Sequence, residues 1–123
     1  MTTRVLFVDD EPDTCEIASL SLGLDPDFEV RTCNSGAQAL AEATGWPPDI
    51  ILLDVMMPGM DGPTTLERFR EQPATSETPV IFVTARTQAR DVDRFRGLGA
   101  IDVIAKPFDP MTLAKTVREM VSR

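Results

Sequence analysis

Ile50-Ile51-Leu52-Leu53-Asp54 is a run of four apolar residues closed by a carboxylate, and the same arrangement occurs three more times in the chain. Val5 to Val8 is followed by Asp9-Asp10, Val80 to Val83 by Thr84, and Val103 to Ala105 by Lys106. Short, continuous apolar runs are the pattern of strands buried on both faces, as in parallel sheets covered by helices. If the four runs lie side by side, their C-terminal ends share one edge, and three carboxylates, a hydroxyl and an ammonium meet there. In open α/β sheets that edge is where ligands bind.

The rest of the sequence alternates accordingly. Strands are expected at 4–8, 28–32, 49–53, 79–83 and 101–105, and helices at 12–23, 36–45, 62–71, 87–97 and 110–122. Phe28-Glu29-Val30-Arg31 alternates apolar with polar and should be an edge strand. Ile17, Leu20 and Leu24 are spaced to form the buried face of the first helix, and Leu113, Val117, Met120 and Val121 that of the last. Ser35 and Asp61 are placed to cap the second and third helices, and Asp109 before Pro110 to open the fifth. Five βα units with right-handed crossovers predict one domain over 1–123. Its fold class is α/β, a flavodoxin-like doubly wound five-stranded parallel sheet in the order 2-1-3-4-5 with helices on both faces. The switch point then lies between the strands that carry Asp9, Asp10 and Asp54.

Composition narrows the function. The formal net charge is −8, which argues against this domain gripping nucleic acid, because phosphate neutralisation needs clustered Lys and Arg. No stretch approaches the roughly 18 uninterrupted apolar residues of a membrane span, and the N-terminus lacks a signal-peptide layout. A soluble, cytoplasmic protein is expected. Cys15 and Cys33 are the only cysteines and there is no histidine, so both read as small buried or near-surface thiols rather than as a disulfide or metal site.

Three carboxylates at one edge would repel one another unless a cation sat among them. An all-oxygen cluster favours a hard divalent ion; magnesium, which binds through one or two carboxylates, waters and phosphate oxygens, fits best. Calcium would leave Lys106 without a role. With a metal and a cationic side chain to stabilise phosphoryl oxygens, a carboxylate can act as nucleophile and become an aspartyl phosphate. Asp54, at the tip of the central strand, is the best-placed nucleophile. Asp9 and Asp10 would hold the metal, Lys106 would pair with a phosphoryl oxygen, and the Thr84 hydroxyl would donate to another. Any one of these residues alone reads as a turn or cap; it is their shared edge that marks a site.

These residues carry a family resemblance. The chain resembles the receiver domain of two-component response regulators, of the single-domain chemotaxis-regulator kind. The motifs are Asp9-Asp10, Asp54-Val55-Met56-Met57-Pro58-Gly59-Met60-Asp61-Gly62, Thr84-Ala85 and Lys106-Pro107-Phe108. The resemblance implies a signalling phosphoacceptor rather than an enzyme: Asp54 takes a phosphoryl group from a phosphohistidine on a sensor histidine kinase or histidine phosphotransfer protein. It also implies that Asp10, Asp54 and the backbone carbonyl of Met56 ligate Mg2+, with Asp9 acting partly through water. The donor would dock a helix against the first helix and the loop after the fifth strand. Phosphorylation would draw the Thr84 hydroxyl inward and shift the following loop.

Two positions depart from the family pattern. Where the family carries an aromatic residue three positions before the lysine, this chain has Val103, which has no comparable rotamer swing. Met56 cannot orient an attacking water as polar residues there do, so slow self-dephosphorylation is expected. Arg86, Arg90 and Arg94, spaced along the fourth helix with Arg96 beside them, read either as a solvated face or as part of a dimer or output surface over 86–122. Trp46, before Pro47-Pro48, reads as packing. Rival functions are a receiver that docks without phosphorylation, a haloacid-dehalogenase-like phosphatase and a flavin carrier. The phosphatase would need a second carboxylate where Met56 stands, and the flavin carrier a Ser- and Gly-rich first loop in place of Asp9-Asp10-Glu11-Pro12-Asp13.

Overall fold

A computed structural model describes residues 2–122; Met1 and Arg123, the ends of the expected domain, lie outside the described residues. Five parallel strands form one sheet: β1 Thr3–Val8, β2 Phe28–Cys33, β3 Ile50–Asp54, β4 Val80–Thr84 and β5 Asp102–Ala105. Their order is β2-β1-β3-β4-β5, as expected. The helices are α1 Pro12–Leu22, α2 Gly36–Gly45, α3 Gly62–Glu71, α4 Ala89–Gly97 and α5 Leu113–Val121, with one 3-10 turn at Pro73–Thr75. No helix among the described residues is long and apolar enough to cross a membrane.

Strand alternation sorts the core into two layers. Leu6, Ile51, Leu53, Phe82 and Val103 face α2, α3 and α4, whereas Phe7, Leu52, Ile81, Val83 and Ile104 face α1 and α5. Both sides of the central strands are covered, which is why their sequences are apolar throughout. The edge strand β2 turns Phe28 and Val30 toward α1 and α5, buries only its last residue, Cys33, on the other side, and exposes Glu29 and Arg31. Arg31 and Arg4 stack on the buried Trp46 ring at 4.7 and 5.3 Å, so Trp46 closes the core beneath this edge.

The expected caps of α2 and α3 form. Ser35 accepts from Gln38 N–H at 3.1 Å, and Asp61 accepts from Thr64 N–H at 2.9 Å, each satisfying a donor the helix leaves open. The fifth helix begins later than expected. Asp109 accepts from Met111 N–H through its side chain and from Thr112 and Leu113 N–H through its carbonyl, closing a separate turn before α5 starts at Leu113. The fourth also begins later, at Ala89, because the Thr84 hydroxyl accepts Arg86 N–H at 3.1 Å and turns the chain there. Arg86 therefore stands in the β4–α4 loop and not on the helix.

The largest correction concerns α1. Ile17, Leu20 and Leu24 do not face the sheet; they are 46, 71 and 60% exposed. The buried face is Cys15, Ala18, Ser21 and Leu22. Two stripes of the same helical period coexist, and the one with small residues lets the helix approach the sheet. Ser21 can be buried there because its hydroxyl donates to the Ile17 carbonyl at 2.7 Å.

This phase of α1 has a measurable consequence. In urea denaturation, Leu22→Ala should cost ~2–5 kcal/mol, the range for a fully buried leucine, whereas Leu20→Ser should stay within about 0.5 kcal/mol of wild type. A loss at Leu20 equal to that at Leu22 would contradict the exposed placement.

Candidate functional site

The strand registers assemble the site. Val8 pairs with Leu53 across β1 and β3, so the next residues, Asp9 and Asp54, emerge level with each other. Asp54 is level with Val83, placing Thr84 one residue further along β4, and Thr84 is level with Ala105, placing Lys106 one further again. The stagger of the strand ends matches the diagonal along which a side chain as long as lysine can reach back.

Lys106 does reach back. Its ammonium lies 2.6 Å from Asp9 Oδ2 and 3.1 Å from Asp54 Oδ1. Asp9 is wholly buried and Asp54 is 5% exposed, while Asp10 is half-buried at the rim. One carboxylate oxygen from each of Asp9, Asp10 and Asp54 lies within 4.8 Å of the other two. The peptide bond between Lys106 and Pro107 is cis, and Lys106 N–H donates to the Thr84 carbonyl at 2.9 Å. The Thr84 hydroxyl itself is turned to the Arg86 amide, and not to a carboxylate. Met56 follows β3 in the adjoining loop with its side chain 68% exposed.

The charges do not balance. Three carboxylates share one ammonium, and burial disfavours the ionised state. Burial pushes the Asp54 carboxyl up from 3.8 to about 6; the hydrogen bond from Lys106 opposes the rise and the Asp9 carboxylate adds to it. Burial would lower the Lys106 pKa, but the Asp9 and Asp54 carboxylates outweigh it and raise the ammonium's pKa above its ordinary value. A hard divalent cation fits this donor set: the ligands are all oxygen, no imidazole is available, and negative charge is left unmatched.

Residues outside the expected set brace the cluster. Cys15 Sγ donates to the Asp9 carbonyl at 3.3 Å, Asp9 N–H donates to the Cys33 carbonyl at 3.1 Å, and Glu11 N–H donates to Asp9 Oδ1 at 3.0 Å. Both cysteines are free and buried, and burial pushes both thiols up to about 11. Cys15 lies four residues beyond Glu11, one turn into α1; that spacing was available in the sequence. Gly62 was not legible as a support. A Cβ there would stand 2.4 Å from the Asp54 carbonyl and 2.8 Å from Val55 Cα, so only glycine lets α3 start against the strand that carries Asp54. Val103 sits in the same buried cluster as Phe82 and Phe95, whose rings are 5.1 Å apart. The aromatic residues of this cluster, Trp46, Phe69, Phe82 and Phe95, all lie outside β5.

A family model described as the response regulator receiver domain matches residues 5–118. The chain belongs to that family. It is 41% identical over 122 residues to response regulator PleD of Caulobacter vibrioides, covering 98% of this chain and 26% of PleD. It is 36% identical over 123 residues to the DNA-binding response regulator MtrA of Mycolicibacterium smegmatis, covering all of this chain and 52% of MtrA. The chain therefore spans between about a quarter and about half of these relatives. Among solved structures, chemotaxis protein CheY4 of Vibrio cholerae superposes with a TM-score of 0.88 at 33% identity, covering 98% of this chain and 99% of that one. A response regulator from Chloroflexus aurantiacus gives the same score and identity over both full chains. This chain is thus a receiver domain of the two-component type, a family in which phosphorylation of an aspartate is the general mechanism and Mg2+ binds an acidic aspartate cluster.

The raised pKa sets the sign of a pH effect. A carboxyl that binds its proton more tightly in the folded state contributes stability below its ordinary pKa, and that contribution is lost as pH rises through about 6. Without magnesium at pH 7.5, Asp54→Asn should therefore unfold at higher urea than wild type, by ~1–3 kcal/mol, with the gap closing toward pH 4. Equal or lower stability of the variant at pH 7.5 would contradict the electrostatic account.

Proposed function

We propose that this chain is a phosphoacceptor receiver domain over residues 1–123 in which Asp54 accepts a phosphoryl group from a histidine kinase or histidine phosphotransfer protein. The observation that carries this reading is the Lys106 ammonium held between Asp9 and Asp54 beside a third carboxylate. Response regulators are typically cytoplasmic, and the same location is proposed here.

The chemistry follows from the side chains. At neutral pH Asp54 is mostly ionised, so one of its oxygens can attack phosphorus. The new O–P bond forms as the donor's P–N bond breaks, and the electron pair leaves with the imidazole nitrogen. Asp9, Asp10, Asp54 and the Met56 carbonyl would hold Mg2+. When bound, that ion neutralises phosphoryl oxygens and lowers the repulsion the nucleophile faces. Lys106 keeps its charge throughout and is free to exchange its contact with Asp54 for one with a phosphoryl oxygen. Thr84 would rotate from the Arg86 amide to donate to another. Asp9, fully buried and braced by Cys15, orients the metal-binding turn.

A surface for the donor adjoins the site. A cavity of about 460 Å³ lies between α1 and the β5–α5 loop, lined by Thr14, Ile17, Lys106, Phe108 and Pro110. The exposure of Ile17 on α1 supports docking of an amphipathic helix there. The output of any longer protein containing this domain is a separate matter from this chemistry.

The decisive measurement is phosphoryl uptake from a small phosphodonor and from a phosphorylated kinase panel, read by intact mass. Wild type should gain one phosphoryl group only with Mg2+; Asp54→Asn should gain none, and Lys106→Ala should be slowed by ~10²–10³-fold, as for loss of a charge-stabilising group. Label retained by Asp54→Asn would overturn the assignment. Once phosphorylated, wild type should lose the group more slowly than Met56→Asn, whose amide can orient water; a longer lifetime in the variant would reject that role for Met56.

A further inference from the structure

Lys106 and the Glu11 amide occupy the two carboxylate oxygens of Asp9; the carbonyl of the same residue is held differently. β1 ends at Val8, so the Asp9 carbonyl lies beyond the strand, on a residue with no exposed surface. A buried carbonyl needs a donor. Two side chains from separate elements supply it: the Cys15 thiol of α1 at 3.3 Å and the Asn34 amide nitrogen of the β2–α2 loop at 3.4 Å. The Asn34 nitrogen also lies 3.6 Å from Cys15 Sγ, and its two hydrogens suffice for both contacts.

Both donors are themselves fixed. Cys15 is buried, and its N–H donates to the Glu11 carbonyl at 3.1 Å at the start of α1. Asn34 N–H donates to Gln38 Oε1 at 2.7 Å, while Gln38 N–H donates to Ser35 Oγ at 3.1 Å. This exchange is a capping box displaced by one residue, and it anchors the loop to the first turn of α2. Just before Asn34, the Cys33 carbonyl accepts Asp9 N–H at 3.1 Å. The end of β2 therefore grips Asp9 at its amide and at its carbonyl, and α1 adds a third hold.

The carbonyl that Cys15 and Asn34 hold belongs to the peptide joining Asp9 to Asp10. A peptide unit is planar, so fixing its oxygen fixes how the two carboxylates are presented to each other and to Asp54. Magnesium requires near-octahedral oxygens at about 2.0–2.1 Å, whereas calcium accepts irregular sets at about 2.3–2.6 Å. A rigid pair of carboxylates discriminates between the two ions, and a loosened pair does so less.

We propose that Cys15 and Asn34 are positioning residues that hold the Asp9–Asp10 peptide and thereby raise the affinity of the site for Mg2+ relative to Ca2+. Each acts through the backbone and not as a ligand. The inference rests on Asp9, Asp10 and Asp54 forming the cation site, and does not require that Asp54 be phosphorylated.

The test titrates the full chain with Mg2+ and, separately, with Ca2+, following the backbone amide resonances of Asp10 and Glu11 by NMR. Cys15→Ala and Asn34→Ala should each weaken Mg2+ binding by about tenfold, as for loss of a group that orients a metal ligand. Ca2+ binding should weaken less, so the ratio of the two affinities falls. Cys15→Ser keeps a donor and should keep the wild-type ratio. Asn34 is exposed, and Asn34→Ala should retain the wild-type melting curve. Val117→Ala removes buried bulk from α5; it should melt lower yet leave the ratio unchanged, which separates stability from ion preference. An unchanged ratio in Asn34→Ala and Cys15→Ala, or an equal fall in Val117→Ala, would overturn the positioning role while leaving the cation site standing. A wild-type chain that binds neither ion would overturn the cation site and the inference with it.

Discussion

Asp9 and Asp54 are buried side by side at the end of the sheet, and the Lys106 ammonium lies between them at 2.6 and 3.1 Å. Burying one ionised carboxylate without a partner is costly, and two adjacent ones more so. Lys106 offsets part of that cost, and Asp10 adds a third charge that it does not cover. The domain thus keeps unmatched negative charge at the place where a divalent cation would relieve it. The elevated Asp54 pKa is the same unmatched charge seen from the proton's side.

The surrounding architecture holds this conflict in place. Parallel pairing sets Asp9 and Asp54 level and steps Thr84 and Lys106 outward by one residue each. Gly62 brings α3 against the backbone of Asp54, and Cys15 ties the Asp9 carbonyl to α1. On the same side as α3, α4 is secured by buried Phe95 with partly buried Val92 beside it. A helix with one buried anchor moves at lower cost than its neighbours, and it follows directly from the strand that ends in Thr84. With Val103 in place of an aromatic, a rotamer swing on β5 is not available to carry the signal. The β4–α4 loop begins at the hydrogen bond from the Arg86 amide to the Thr84 hydroxyl, and the Phe82–Phe95 contact joins β4 to α4.

Much of this was legible in the sequence. Apolar runs closed by polar residues indicated four of the five strands, the edge, and the charged residues that meet there, because a strand buried on both faces must be apolar until it ends. Ser35 and Asp61 were readable as caps, since capping depends on a few neighbouring residues. The phase of α1 was not: Cys15-Ala18-Leu22 and Ile17-Leu20-Leu24 have the same period, and only the space over the sheet selects the smaller set. The starts of α4 and α5 were displaced by hydrogen bonds that Thr84 and Asp109 accept from the amides after them, which local propensity does not register.

By itself, then, the sequence determined the order of strands and helices and the chemical types gathered at one edge, since both follow from short-range patterns of burial and charge. The tertiary structure alone decided which carboxylates Lys106 bridges, how tightly the Asp54 proton is held, which face of α1 is exposed, and which arginine of α4 is drawn into an ion pair. Those depend on strand stagger and on distances between residues as far apart in the chain as Asp9 and Lys106, which no local pattern encodes.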